Sequence, residues 1–226
     1  MIKVDDLSFS YTDRDFLQNI NFGVGKGEIL GFLGPSGAGK GTICKELLKE
    51  NDTIKLSVSA TTRKPRTGEV DGVNYFFISK EKFEEMIEKG EFLEYAQIYD
   101  NFYGTPKAAI MECLEKGQDV LLEIEMQGAK QIKEVCPEGV FIFVLPPSLE
   151  ELKNRIVGRG TETEAEIEKR FSCAYEEIKM IKDYDYFIFN EDVKTSAKEI
   201  EGIISSEKNK VSRYKNIIIE KFKEEL

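Results

Sequence analysis

Apolar residues in the opening of the chain recur at every second position. Ile2 and Val4 alternate with polar residues, Leu7, Phe9 and Tyr11 continue in the shifted phase, and Phe16, Ile20, Phe22 and Val24 alternate again after the polar stretch Thr12-Asp13-Arg14-Asp15. Two runs of period two joined by a turn predict a β-hairpin, and the phase change near Asp5-Asp6 predicts a bulge. The pattern then changes. Ile29 to Leu33 is a short continuous apolar run, as expected of a buried strand. It leads into Gly34-Pro35-Ser36-Gly37-Ala38-Gly39-Lys40, after which Ile43, Leu47 and Leu48 fall on one face of a helix.

Helix and strand patterns alternate from there on. Ser79 is expected to cap a helix carrying Phe83, Met86 and Ile87, ended by Gly90. Thr105-Pro106 reads as the cap and first position of another helix, closed by Gly117. Val120 to Leu122, Val140 to Leu145 and Phe187 to Phe189 read as further strands. Ser148 with Glu151, and Thr163 with Glu166, have the capping-box spacing, and the tail from about Thr195 is helical and highly charged. Strands alternating with helices predict an α/β fold with a mostly parallel sheet and helices on both of its faces. There is no internal repeat and no low-complexity linker.

Composition narrows the function. A chain of 226 residues suits one large domain or one domain with insertions. At 41% hydrophobic and 33% charged residues, neither a disordered chain nor a membrane protein is expected. No apolar run nears the roughly 18 residues of a membrane span, and the acidic opening does not read as a secretory signal, so the protein is expected in the cytoplasm. A formal charge of −10 argues against nucleic-acid partners. The chain has no histidine, which excludes His-based catalysis, metal sites and pH switches. Cys44, Cys113, Cys136 and Cys173 form no CxxC and read as reduced cytosolic thiols. Phosphoryl transfer survives these exclusions, because it relies on cations, metal and positioning.

Gly34 to Lys40 fits the GxxxxGK part of the phosphate-binding P-loop, between a strand and a helix as the motif requires. Its glycines let backbone N–H groups surround phosphate oxygens, the helix N-terminus adds positive partial charge, and the lysine reaches the β- and γ-phosphates. An ordinary Gly-rich turn is the alternative. Gly41 stands where Ser or Thr usually holds Mg²⁺, and Thr42 follows. The run Gly39-Lys40-Gly41-Thr42 resembles nucleoside monophosphate kinases, in which phosphates and water largely hold the metal. The resemblance thus implies ATP bound by Gly34, Pro35, Ser36, Gly37, Ala38, Gly39, Lys40, Gly41 and Thr42, with Mg²⁺.

From about residue 28 onward the chain resembles the guanylate kinase family. The most specific stretch is Ser57-Val58-Ser59-Ala60-Thr61-Thr62-Arg63-Lys64-Pro65-Arg66-Thr67-Gly68-Glu69, with Gly72 and Tyr75 after it. On the residues alone this is either a solvated basic loop or a grip for a doubly charged anion, since guanidinium binds such an anion through parallel hydrogen bonds. The resemblance implies the second: Arg63, Arg66, Tyr75 and Tyr103 hold the GMP phosphate, and Glu69 orients the arginines. It also puts Glu94 against the guanine, with Ser59 and Thr105 nearby. Without the resemblance, Glu94 would be an ordinary surface acid. In Glu123-Ile124-Glu125-Met126-Gln127-Gly128, the resemblance and the position after a strand suggest Glu123 for Mg²⁺ through water and Glu125 for a contact near GMP. The family often has Asp at one or both positions. Arg155, Arg159 and Arg170 resemble the family's lid arginines and would stabilise the transferring phosphoryl group; salt bridges to nearby glutamates are the alternative. Asn190 would sit near the adenine.

The expected architecture is therefore a P-loop nucleoside monophosphate kinase: a parallel-sheet core, a GMP-binding insertion at about 57–105, a mobile lid at about 155–170 and an added N-terminal hairpin over 1–27. Residues 1 to about 33 are similar to the start of an ABC transporter ATPase, through Ile2-Lys3-Val4-Asp5-Asp6-Leu7-Ser8-Phe9-Ser10-Tyr11, Phe16-Leu17-Gln18-Asn19-Ile20-Asn21-Phe22 and Gly27 to Gly34. Tyr11 occupies the place whose ring stacks on adenine in that family. The rest of the ABC pattern, namely the LSGGQ signature, Q-loop and switch histidine, is missing, so the chain reads as a junction of two P-loop families. A hairpin alone is marginal in water, so it is expected to extend the P-loop strand beside the nucleotide or to pair with another subunit. The expected activity is phosphorylation of GMP by ATP. An ABC-type ATPase, a catalytically silent guanylate-kinase-like binding module and an inactive chimera are the alternatives.

Overall fold

The structure is a computed structural model that describes residues 3–10, 15–23, 27–98, 100–124, 126–158 and 164–223; for 3–10, 15–23, 164–166, 169 and 170 only the backbone is described. In chain order the first elements are β1 (Lys3–Ser10), β2 (Asp15–Gly23), β3 (Ile29–Leu33), α1 (Lys40–Glu50), β4 (Ile54–Leu56), β5 (Ala60–Thr61) and β6 (Phe76–Phe77). Then come α2 (Lys80–Glu88), β7 (Phe92–Ile98), β8 (Asn101–Pro106), α3 (Lys107–Glu115), β9 (Asp119–Glu123) and α4 (Met126–Val135). The chain finishes with β10 (Val140–Leu145), α5 (Leu149–Val157), α6 (Glu164–Lys179), β11 (Tyr186–Phe189), α7 (Val193–Glu207) and α8 (Val211–Lys223). The protein divides into two compact units, one of Met1–Leu33 and Asn51–Ile142, the other of Gly34–Glu50 and Phe143–Leu226.

In the first unit, β3 pairs in parallel with β9, β9 pairs in parallel with β4, and β10 neighbours β3 on its other side. All residues of β3 and β10 are buried, which is why both read as unbroken apolar runs. Gly31 keeps β3 close to its neighbour: a Cβ there would lie 2.7 Å from the Phe141 ring. Strand β9 is longer than its apolar run predicts. Asp119 is buried at its start, where Oδ1 accepts the Glu28 backbone N–H at 3.0 Å.

A second, four-stranded sheet in this unit has the order β6-β5-β8-β7, with β5 and β6 parallel and the other pairs antiparallel. Its core is Phe83 of α2, whose ring stacks on Phe92 at 4.4 Å and on Phe102 at 5.4 Å. Ser79 caps α2 as expected, and Gly90 follows it at φ +66°. The cap predicted at Thr105 is corrected: Pro106 is the N-cap of α3, while Thr105 stays in β8 and its hydroxyl donates to Glu94. Strands β1 and β2 pair with each other in a sheet of their own, Val4 facing Phe22 and Leu7 facing Ile20, with a register shift between. Ile2, Tyr11, Val24 and the turn at 12–14 lie outside the described residues.

In the second unit, Gly34 to Gly39 form the loop that α1 continues, and β11 neighbours β10. Leu152 and Ile156 of α5 pack on Ala174 of α6, with Ile167 against them. Ser148 caps α5 by accepting the Glu151 N–H, but the Glu151 carboxylate accepts from Arg155. Thr163 lies outside the described residues. The helical tail begins earlier than its charge pattern indicates, at Val193 behind the cap Asp192, and divides into α7 and α8. Glu207, at the end of α7, is buried and accepts from Tyr186, Lys210 and Arg213. Burial pushes its carboxyl up, but these bonds outweigh that and hold it below the ordinary carboxyl range.

Candidate nucleotide-binding site

The loop of the second unit is built on glycine geometry. Gly34, Gly37 and Gly39 have φ of 130°, 100° and 93°, a region that side chains rarely enter. Space also forbids a side chain at two of them: a Cβ on Gly34 would lie 2.1 Å from the Val144 carbonyl oxygen, and one on Gly39 2.2 Å from Asn190 Nδ2. The Ala38 N–H donates to Pro35 at 3.0 Å and the Ile43 N–H to Gly39 at 3.1 Å, so the loop turns directly into α1. Lys40 is buried, and its ammonium donates to the Gly34 carbonyl across the loop at 2.5 Å. An ammonium has three donors, so this contact leaves capacity for phosphate oxygens.

Asn190 is buried on this loop. Its Nδ2 donates to the Ala38 carbonyl at 2.7 Å, its Oδ1 accepts from Ser196, its N–H donates to Leu145 and its carbonyl accepts from Arg155 Nη2 at 3.1 Å. Arg155 Nε also donates to Glu151 at 2.8 Å, one turn earlier on α5. The sequence assigns Asn190 to adenine; here its side chain is engaged with the loop itself. Arg159 lies outside the described residues, and of Arg170 only the backbone is described, within α6.

The first unit carries a cationic cluster. Arg63 donates through Nη1 and Nη2 to the two oxygens of Glu69 at 2.8 and 2.9 Å. Its guanidinium lies 5.3 Å from the Tyr75 ring centre and 5.6 Å from that of Phe77. Tyr103 meets Tyr75 edge to face at 6.0 Å. Bonding to Glu69 raises the Arg63 pKa further, with a smaller contribution from Tyr103, and the same Arg63 bond lowers that of Glu69. Glu69 also accepts the Arg66 backbone N–H at 2.7 Å, so it fixes the main chain of Arg66 and the side chain of Arg63. The Arg66 guanidinium is exposed and makes no ion pair among the described residues.

Glu94 is buried, 6% exposed, in the middle of β7. Its Oε1 accepts the Thr105 hydroxyl at 2.5 Å, and Thr105 is fully buried. The carboxylate also presses on α4, where a Cβ on Gly128 would meet Oε2 at 2.1 Å. Next to Glu94, Gln131 of α4 donates Nε2–H to the Tyr95 carbonyl at 2.7 Å and accepts the Tyr95 N–H at 3.1 Å. Sequence reasoning missed the parts played by Gly128, Gln131 and Ser196. A glycine in the first turn of a helix is the one signal that could have pointed to a close approach. Ser59 is half-buried before β5, where its carbonyl accepts the Phe76 N–H. Glu123 is exposed at the carboxyl end of β9, opposite Phe32 of β3; Glu125 lies outside the described residues.

A mostly parallel sheet, and a strand leading through a three-glycine loop into a helix whose first residue is a buried lysine, define an α/β protein of the P-loop nucleotide-binding class. The chain belongs to the guanylate kinase family. A family model described as "Guanylate kinase" matches residues 27–207. The chain is 97% identical over 203 residues to a guanylate kinase of Clostridioides difficile (strain 630), a match covering 90% of this chain and 99% of that protein. It is 55% identical over 200 residues to a guanylate kinase of Caldanaerobacter subterraneus subsp. tengcongensis, covering 88% and 97%. The crystal structure of guanylate kinase from Anaplasma phagocytophilum matches with a TM-score of 0.69 at 36% identity, over 82% of this chain and 88% of that one.

Proposed function

We propose that this chain transfers the γ-phosphoryl group of ATP to GMP, giving ADP and GDP. The observation that carries the acceptor is the buried pair of Glu94 and Thr105. An ionised carboxylate only accepts hydrogen bonds, and guanine presents N1–H and its 2-amino group side by side as donors. Adenine lacks that pair and would leave the carboxylate desolvated and unmatched, a loss of about 1–3 kcal/mol or more. Thr105 holds one oxygen in place, and Ser59 and Glu125 complete the nucleoside contacts. Arg63, kept in a fixed fork by Glu69, joins Arg66, Tyr75 and Tyr103 on the GMP phosphate.

On the ATP side, the N–H groups of the loop from Gly34 to Thr42 surround the phosphates, and Lys40 moves between the Gly34 carbonyl and the β/γ oxygens. Asn190 holds the loop and borders the adenine. Arg155, Arg159 and Arg170, on a lid of about 155–170, meet the charge that spreads over the γ-phosphoryl oxygens. An oxygen of the GMP phosphate forms a bond to the γ-phosphorus while the bond from that phosphorus to the β,γ-bridging oxygen breaks, and the bridging oxygen leaves with ADP. No side-chain base is needed, because the attacking oxygen is already ionised.

The family implies Mg²⁺. Among the described residues no group of three or more acidic or thiol side chains could cage a metal, whereas Glu123 supplies a lone exposed carboxylate and Thr42 a hydroxyl. That donor set fits a small, hard cation that keeps its waters and is bound mainly by substrate phosphates. Glu123 would hold it through water; when bound, Mg²⁺ neutralises charge on the β- and γ-phosphates.

We propose that residues 1 to about 33 resemble an ABC ATPase opening; the guanylate kinase family match begins at residue 27. We assign the hairpin of β1 and β2 to self-association, since strands that among the described residues pair only with each other keep outer edges able to accept a second copy. We assign the protein to the cytoplasm, on the guanylate kinase family and on cysteines whose spacing forms no CxxC.

The deciding experiment measures ADP formation from MgATP with GMP, AMP, CMP, UMP or no acceptor. Strong dependence on GMP is expected. Hydrolysis without an acceptor would favour an ATPase, and GMP binding without turnover a binding module. Light scattering on the chain without residues 1–26 tests the hairpin: an unchanged oligomeric state would end that assignment.

A further inference from the structure

Strand β7, which carries Glu94, is the last strand of its sheet and, among the described residues, pairs on one side only, with β8. Alternate residues of such an edge strand turn their N–H and C=O outward, where no neighbouring strand meets them. At Tyr95, one residue past Glu94, both outward groups are taken by the single side chain of Gln131. A primary amide offers a donor and an acceptor side by side, as a peptide group does, so Gln131 of α4 stands in for the missing strand.

One helical turn earlier on the same face of α4, Gly128 leaves the gap that the Glu94 carboxylate fills. Helix α4 therefore holds this stretch of β7 at two points: the Tyr95 backbone through Gln131, and the Glu94 carboxylate at the space above Gly128. The two contacts set, respectively, where the strand lies and which way the carboxyl group points.

We propose that Gln131 and Gly128 are positioning residues that determine purine selectivity, by fixing the Glu94 carboxylate in the orientation that accepts two adjacent N–H donors. This rests on the reading of Glu94 as the guanine-selecting group. Neither residue touches the substrate in this account; both act through Glu94.

The test uses the full chain. Gln131→Met keeps the length of the side chain and removes both bonds to Tyr95. Gly128→Ala introduces the Cβ that Glu94 excludes, while favouring the helix by its propensity. In each variant, KM for GMP is expected to rise about tenfold and the GMP-to-AMP ratio of kcat/KM to fall about tenfold, the size of effect that one or two lost hydrogen bonds give. KM for ATP and the melting temperature should stay near those of the parent chain. Calorimetric binding of GMP provides the same readout without turnover. A lower melting temperature with unchanged GMP KM and unchanged ratio would make these residues merely structural, and a parallel rise in KM for both nucleotides would equally overturn the proposal. If the parent chain itself does not discriminate GMP from AMP, the reading of Glu94 fails and this inference falls with it; if the parent discriminates and the variants do so equally well, only this inference falls.

Discussion

The Asn190 amide donates to the Ala38 carbonyl at 2.7 Å, in the space that a side chain on Gly39 would occupy. The close approach of these two parts of the chain explains why the loop needs glycine at 39 for two separate reasons, its φ of 93° and its neighbour. Gly39→Ala should therefore cost about 1–3 kcal/mol from backbone strain, with the clash added, and should raise KM for ATP more than KM for GMP. Urea unfolding and initial rates check this. Asn190→Ala removes the donor to Ala38 and should weaken ATP binding in the same direction while leaving the glycine backbone unstrained.

Lys40→Ala is expected to lower turnover by at least about 10²-fold, with folding retained, because one preorganised cation at a developing charge contributes that much. Near-normal turnover of the variant would remove Lys40 from the transfer step. Circular dichroism separates loss of charge from loss of fold.

Glu94→Gln places a donor against a donor of guanine, and kcat/KM for GMP should fall by at least about 10²-fold. Thr105→Val deprives the buried carboxylate of one bond and should raise KM for GMP by about tenfold, with Thr105→Ser restoring it. Competing rates with GMP and AMP measure both effects.

Glu69 has its carboxyl held below the ordinary range by Arg63. A depressed folded value means that the pair is fully formed above the ordinary carboxyl pKa and is lost as pH falls through the lowered value. Glu69→Gln should raise KM for GMP at neutral pH, and its GMP affinity should vary less than the parent's as the medium is acidified. Calorimetry in matched buffers distinguishes this from titration of the nucleotide, which is common to both proteins.

Glu207 extends the same argument to stability. Its buried carboxylate has a lowered pKa, so the stability it contributes is present above the ordinary carboxyl range and disappears as pH falls through the lowered value. Glu207→Gln should be less stable than the parent at pH 7, and the difference between them should shrink in acid. Melting curves from pH 7 to pH 3 decide it; a constant difference would mean that charge at Glu207 is not the cause.

Much of this protein was legible in one dimension. Buried parallel strands expose no polar alternation, so β3 and β10 appeared as apolar runs with the bounds they have in the fold. The phosphate loop was legible because its chemistry is carried by backbone groups, and only glycine lets them turn inward. Ser79 and Ser148 could be read as caps because a cap acts within one helical turn.

The four-stranded sheet was not legible as strands. Strand β8 contains Gly104 and Thr105-Pro106, which look like a loop leading to a helix, and β7 buries a glutamate among its apolar residues. Its pattern makes sense only once Thr105 and α4 are beside it. The same holds for Asn190, which meets Ala38 from 152 positions away, and for Gln131, which completes a strand edge 36 positions away. The sequence by itself determined the fold class and the phosphate loop, because local periodicity and short-range backbone chemistry are written in neighbouring residues, and the family through the resemblance of its motifs. Only the tertiary structure decided which polar side chains are buried and what each one holds. Burial removes water as a partner, and the replacement partner can come from anywhere along the chain.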